Sequence, residues 1–309
     1  MSRFPEVELG QVADITKLAG FEFTKHFQYN DAGEIIALRA LNLRDGRLVL
    51  DDVKKISRKV SMGLPRSQLR VGDVLLSYTG SVGEVARVDQ DNKYHLAPNV
   101  CRARAGEKLI DEFLYFVMRS QLFKERLESF AVGSTQKTVP MKSIRLVEIP
   151  LPTLGEQKEI VAVLRCLNDK IELNRRMGAT LDEMGRALYR SWFVDLDPVH
   201  AKAKGSALAH MDPQTAALFP DSFGENGLPT GWREEPFLDQ AAWVNGAAYK
   251  NMHFSTDSGS LPVVKIAELK AGITGNTKFT ATDLGEKYRM SRGELLFSWS
   301  GNPDTSIDA

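Results

Sequence analysis

The sequence predicts an α+β chain: a β-rich domain, a long helix with a coiled-coil seam, and a partial second copy of the first domain. Three observations carry that prediction. Short apolar runs with β-branched and aromatic character alternate with glycine turns through the first 150 residues. Residues 154–194 then carry an apolar stripe in steps of three and four. After residue 232, segments of the first domain recur in the same order.

The β-rich domain is read from its runs. Val74 to Tyr78 is apolar and is bounded by Gly72 and Gly80; Ile35 to Leu43 and Val82 to Val88 read the same way. Gly80-Ser81-Val82-Gly83 reads as a tight turn between strands, where glycine permits positive φ. It lacks the Lys and Ser/Thr of a phosphate-binding P-loop. Residues 111–129 predict one amphipathic helix, with Phe113, Leu114, Phe116, Val117, Leu122, Phe123 and Leu127 on its apolar face. A small polar loop over residues 132–138 follows, and Ile144 to Pro150 reads as a closing strand.

The helix predicted over residues 154–194 carries Ile160, Leu164, Leu167, Ile171, Leu181, Leu188 and Trp192 as a seam, with Asn174, Gly178 and Gly185 filling its remaining positions. Forty residues at 1.5 Å each give a rod of roughly 60 Å. Such a helix is not stable alone, so it either folds onto its own domain or forms one arm of a helix pair. Asp197-Pro198 ends it, and a linker follows with a short helix capped by Asp212 ahead of Pro213.

The repeat is read from three matches. Residues 72–80 (GDVLLSYTG) match residues 293–301 (GELLFSWSG). Residues 38–43 match residues 264–269, with Gly46 opposite Gly272. Residues 9–13 match residues 238–242. Counterparts of residues 81–194 do not follow the second copy, which predicts an incomplete second domain with open sheet edges. The expected divisions are residues 1–152, 153–195, 196–231 and 232–309.

Composition excludes several functions. The 309 residues are 43% hydrophobic and 26% charged, and formal net charge is zero. Residues 1–150 lean basic, with 23 Lys and Arg against 19 Asp and Glu. No stretch approaches the ~20 apolar residues of a membrane span, and the N-terminus lacks an apolar signal region, so a cytoplasmic protein is expected. Cys101 and Cys166 form no CxxC pair and read as free thiols. The five histidines have no HExxH spacing, and no GxGxxG or GxxxxGK[ST] motif occurs. Glu156-Gln157-Lys158 has a nuclease-like Glu-x-Lys spacing but lies at a helix start, where Glu156 more simply faces the helix dipole. A non-catalytic chain is expected.

One phrase points to a family. Pro150-Leu151-Pro152-Thr153-Leu154-Gly155-Glu156-Gln157, with Ile160-Val161 after it, resembles the conserved region of Type I restriction–modification specificity subunits. The similarity continues through Lys170 to Arg176, Thr180 to Met184 and Ala187 to Asp195, and through Pro229 to Trp232. The resemblance implies target-recognition domains spaced by long antiparallel helices, each reading half of a split sequence in double-stranded DNA. It implies partners: methyltransferase subunits, a restriction and translocation subunit reached through the complex, and a second copy of the chain where one recognition domain must serve twice. S-adenosylmethionine, ATP and Mg would belong to those partners, with no cofactor in this chain. The expected function is to direct methylation and restriction in defence against foreign DNA. The alternative is a docking protein that binds methyltransferase subunits without specifying a site.

Candidate DNA contacts follow from side-chain chemistry: amides and cations for base edges, hydroxyls and cations for phosphate. Ser134, Thr135, Gln136 and Lys137 resemble a phrase near the end of many recognition domains; an ordinary surface turn is the alternative. Thr79 and Ser81 are offered by the glycine turn, while Tyr78 reads as core. Arg102 and Arg104 alternate along a strand and so share a face, either groove-facing or solvated. Lys54 and Lys55, with Arg58 and Lys59, form the densest basic cluster, read as phosphate contacts or a solvated face.

Overall fold

The computed structural model describes residues 4–133, 136–206 and 210–298. The chain divides into two compact units at Arg186/Ala187. The first unit begins with β1 (Glu6–Glu8), α1 (Leu9–Val12), β2 (Ala13–Lys17), α2 (Gly20–His26), β3 (Ile35–Leu38), β4 (Leu43–Arg44), β5 (Arg47–Leu48), β6 (Lys54–Ile56) and α3 (Arg58–Gly63). It continues through β7 (Val74–Ser77), β8 (Val85–Arg87), β9 (Tyr94–Leu96), β10 (Val100–Ala105), α4 (Asp111–Arg119), α5 (Gln121–Glu128), α6 (Met141–Leu146), β11 (Glu148–Pro150) and α7 (Leu154–Tyr189).

An antiparallel four-stranded sheet, ordered β2-β10-β7-β8, divides two cores. Side chains alternate across a strand. On β7, Val74 and Leu76 therefore enter one core with α4, α5 and α6, while Leu75 enters the other. That two-sided burial explains why residues 74–77 read as an unbroken apolar run. The second core is closed by the sheet β6-β3-β9, in which β3 pairs antiparallel with β6 and parallel with β9. The chain ends of the domain meet in β1 and β11, which pair from Glu6↔Pro150 to Glu8↔Glu148.

Three local expectations are corrected. The helix predicted over residues 111–129 is two helices broken at Ser120. Ser120 Oγ accepts from Phe123 N at 3.2 Å and donates to Val117 O at 2.7 Å, so one hydroxyl ends α4 and caps α5. The closing strand is shorter than residues 144–150, because residues 141–146 form α6. Asp197-Pro198 opens a helix instead of ending one: α7 passes into a π turn over Arg190–Val194, Leu196 takes φ +55°, and α8 (Asp197–Ala203) begins.

The start of α7 is a capping box: Thr153 N donates to Glu156 Oε2 at 2.9 Å and Glu156 N to Thr153 Oγ1 at 3.4 Å. One residue on, Gln157 is fully buried. Its amide nitrogen donates to Lys108 O (3.0 Å) and Pro152 O (2.9 Å), and its oxygen accepts from Ile110 N (2.9 Å). The family-like phrase is thus the weld between domain and helix. Past Val161 no residue of α7 is buried among those described, and Leu167, Ile171 and Leu181 of the seam stand exposed.

The second unit contains α8, α9 (Pro213–Ala217), β12 (Leu261–Pro262), α10 (Ile266–Ala271) and β13 (Phe279–Thr280). Asp212 caps α9 through Gln214 N and Thr215 N. Trp192, Phe193, Phe219 and Trp232 cluster with centroids 5.9–6.5 Å apart. Lys202 Nζ donates to the carbonyls of Ala216 and Phe219. Several features of the first unit recur here. Asn42 Oδ1 accepts from Arg39 N at 3.1 Å, and Glu268 Oε2 from Lys265 N at 3.0 Å. Gly46 and Gly272 both have positive φ, as do Gly72 and Gly293. The β7 counterpart differs: residues 294–298 form no strand, and Leu295 is 83% exposed. In the first unit that strand is held between β8 and β10, whose counterparts the second unit's described residues lack.

Gln157→Leu strands one amide hydrogen donor and two carbonyls, and it is expected to cost at least about 3 kcal/mol at 1–3 kcal/mol per buried unsatisfied group; urea unfolding measures it, and an unchanged midpoint refutes the weld. His95 makes a second prediction. It is fully buried, with Nδ1 2.8 Å from Leu96 O and Nε2 3.3 Å from Leu64 O. Burial outweighs the two carbonyls and lowers its pKa. The unfolded chain therefore takes up a proton first as pH falls, and stability present above the ordinary value near 6.5 is lost below it. Urea midpoints from pH 8 to 5 should fall, and His95→Gln should flatten that slope.

Candidate nucleic-acid interface

One end of the four-stranded sheet gathers the polar residues of three chain segments. Register places Lys17, the last residue of β2, opposite Cys101, and Ser77, the last of β7, opposite Val100. The ends of two strands and the start of β10 therefore meet. Tyr78 N donates to Asn99 O at 3.1 Å, and Asn99 takes φ +70°, a region that asparagine tolerates. The Lys17 ammonium lies 5.4 Å from the Tyr78 ring centre. Half-buried Tyr78 has a phenol whose pKa is raised by burial first and by Cys101 next, which keeps it neutral.

The loop before α6 docks on the same end. Val132 and Thr138 exchange backbone hydrogen bonds of 2.9 Å and close the loop. Val139 N then donates to Tyr78 O and Gly80 N to Lys137 O, both at 2.9 Å, and Thr138 Oγ1 to Thr79 Oγ1 at 3.3 Å. Gly80 has φ +81°, and a Cβ there would lie 3.9 Å from Gln136 Nε2, so the amide stands over the turn. Ser77 Oγ accepts from Glu84 N at 3.0 Å and donates to Ser81 O, which fixes the turn from beneath.

The structure thus brings Thr79, Ser81, Gln136 and Lys137 together. Ser81, Gln136 and Lys137 are exposed and Thr79 is half-buried. Ser134 and Thr135 lie outside the described residues. Lys17 and Asn99, both exposed, join the rim and were not legible in the sequence. Lys17 is an ordinary strand-end lysine until the β2–β10 register is known. The Asn after Pro98 was a weak turn signal. Together these residues offer two ammoniums, two amides and two hydroxyls along one edge, a set that suits phosphates and base edges.

The arginines lie elsewhere. Arg102 and Arg104 share a face of β10, as alternation requires, but each has a carboxylate of its own domain. Arg104 grips buried Asp73 with two bonds of 2.6 and 2.7 Å. Buried Arg102 pairs with Asp14 and reaches Arg66 O at 3.4 Å. Each guanidinium of that face thus has an acid of its own domain beside it, as a guanidinium within a sheet layer needs. Lys54 and Lys55 sit on β6, an edge strand of the other sheet, with Lys54 exposed and Lys55 half-buried. Lysine on an edge strand discourages pairing with another chain. Buried Cys101 has its thiol pushed up to about 12, and exposed Cys166 lies on α7. No helix among the described residues is long and apolar enough to cross a membrane.

Known proteins similar to this chain include specificity subunits of Type I restriction enzymes. The specificity subunit of the MjaIX Type I restriction enzyme of Methanocaldococcus jannaschii is 22% identical over 241 residues, 74% of this chain and 50% of that one. The HindI specificity subunit of Haemophilus influenzae is 25% identical over 209 residues, 66% and 44%. The chain spans about half the length of these curated relatives. Among solved structures, the HsdS subunit from Thermoanaerobacter tengcongensis aligns at TM-score 0.41 and 22% identity, covering 68% of this chain and 51% of that one. The model of the Type I restriction modification DNA specificity domain matches residues 1–183, more than half of the chain, which therefore belongs to that family.

Proposed function

We propose that residues 1–152 form a target-recognition domain that binds double-stranded DNA through the rim built by Lys17, Thr79, Ser81, Asn99, Gln136 and Lys137. The carrying observation is the convergence of two amides and two ammoniums on one sheet end, in a domain of the DNA specificity family. The amides of Asn99 and Gln136 can bond adenine edges in the major groove, and the lysines and hydroxyls can hold phosphate. The chain does no chemistry itself. Partner methyltransferase and restriction subunits, carrying S-adenosylmethionine, ATP and Mg, modify or cut the DNA that it selects in the cytoplasm. Residues 232–309 would begin a second recognition domain, with α7 as spacer.

A second reading is docking without site selection, and the exposed seam of α7 favours it: Leu167, Ile171 and Leu181 offer a helix or subunit an apolar face. A second copy of the chain could cover the same face.

DNA binding at graded salt tests the rim. Lys17→Gln and Lys137→Gln should each lower the slope of log K against log salt by about 1, whatever the sequence. Gln136→Ala and Asn99→Ala should instead cost about 1–3 kcal/mol on the preferred site only. Arg104→Met should destabilise the fold and leave the salt slope unchanged. Unaltered slopes in both lysine variants would remove the rim from the DNA path. Mapping of methylated bases in cells holding this chain and a methyltransferase subunit tests the larger reading. A split palindrome means two copies pair, each reading with its first domain, whereas no new methylation favours docking alone.

A further inference from the structure

Beyond Leu164, which lines an apolar cavity with Phe113, Phe116 and Val117, α7 meets its recognition domain through polar contacts on one face. Arg165 pairs with Glu112 on α4. Asn168 Oδ1 accepts from Arg119 Nη1 at 3.0 Å, and Glu172 lies 3.5 Å from Arg47 on β5. At 3.6 residues per turn, positions 165, 168 and 172 fall within about 60° of one another.

Arg119 is the centre of this set. Its Nη1 also donates to Tyr115 Oη at 2.8 Å, and its guanidinium lies 5.1 Å from the Tyr115 ring centre. Tyr115 Oη in turn donates to Gly46 O at 2.9 Å, and Arg119 Nη2 reaches Asp45 O at 3.5 Å. One guanidinium therefore ties α4, the β4–β5 turn and α7. The turn is shaped to admit it. Gly46 has φ +83°, and a Cβ there would sit 2.5 Å from Arg119 Cζ. The flanking space is an open cleft of about 600 Å³ to which α7 contributes only polar side chains, Arg165, Asn168, Asp169 and Glu172.

We infer that Arg119 and Asn168 are positioning residues that set the rotation of α7 on its recognition domain, with Gly46 as the socket. The seam residues Leu164, Leu167 and Ile171 lie roughly 100° round the helix from the bonded face. Holding that face against Arg119 therefore decides where the seam points. A partner docked on the seam would inherit its angle to the DNA-reading rim from this contact. That consequence rests on the proposed function; the rotational claim does not.

The two cysteines make the test direct. Exposed Cys166 on α7 takes a nitroxide, while Cys101 is buried with its thiol pushed up to about 12 and stays unlabelled. Lys59→Cys on exposed α3 supplies the second label, and pulsed electron spin resonance gives the distance distribution in the full chain. The parent should show one narrow distance. Arg119→Gln and Asn168→Leu should broaden and shift it. Asn168→Asp, which keeps an acceptor for the guanidinium, should retain the narrow distance. A distribution in Asn168→Leu that superimposes on the parent overturns the inference, as does equal broadening in Asn168→Asp. Exposed polar contacts of this kind add little to stability, so unfolding midpoints should stay close to the parent's. Half-site DNA affinity, read in the same variants, should stay within about threefold of the parent, since the rim is untouched. A parent that binds no DNA defeats the proposed function and leaves the distances to decide the lock.

Discussion

Everything in the first unit depends on how its last strand is closed and its helix launched. β11 pairs with β1, so the two chain ends of the domain are joined, and seven residues on Gln157 is driven into the fold. A buried amide is costly unless all its bonding groups are used. Here its oxygen takes one backbone N–H and its nitrogen two carbonyls, from segments before and after β11. The same residue thus completes the domain and fixes the first turn of a helix more than 50 Å long by rise alone. The Pro-Leu-Pro-Thr-Leu-Gly-Glu-Gln phrase is a weld with a capping box beside it.

The polar rim is built at the other end of β10. Strand ends carry backbone groups that the sheet can no longer pair. At this end they are taken up by two loops that bond to each other: Gly80 N to Lys137 O, Val139 N to Tyr78 O. With main-chain groups consumed internally, the side chains of Thr79, Ser81, Asn99, Gln136 and Lys137 are free to face outward. The arginines show the opposite economy. Arg104 donates to Asp73 through Nε and Nη2, so charge that looked available in the sequence already has an acid beside it.

The helix has two kinds of surface. Its bonded face is polar and meets the domain through single side chains; its seam is apolar and open. A seam of this type gains stability only when covered.

The sequence by itself determined the α+β class, the long helix with its seam, the glycine turns, the recurrence of the first domain's segments after residue 232, and the family. Those are local matters: periodicity, turn chemistry and an uninterrupted phrase are written in neighbouring residues. Shorter elements were legible only in part. A single hydroxyl at Ser120 split one amphipathic pattern into two helices, and a six-residue α6 replaced half of the expected strand. Lone Asp-Pro was ambiguous because proline both follows one helix and starts the next. What only the tertiary structure decided was which polar residues share a surface. Gln136 and Thr79 are 57 positions apart, and Lys17 and Asn99 are 82 apart, yet they share one sheet end, because antiparallel register aligns the ends of β2, β7 and β10 and the backbone bonds of Gly80 and Val139 dock the loop of Gln136 there. The same register gives Arg102 and Arg104 their acids. Whether a charge is spent inside the fold or offered to a ligand depends on partners distant in sequence, and no local pattern encodes them.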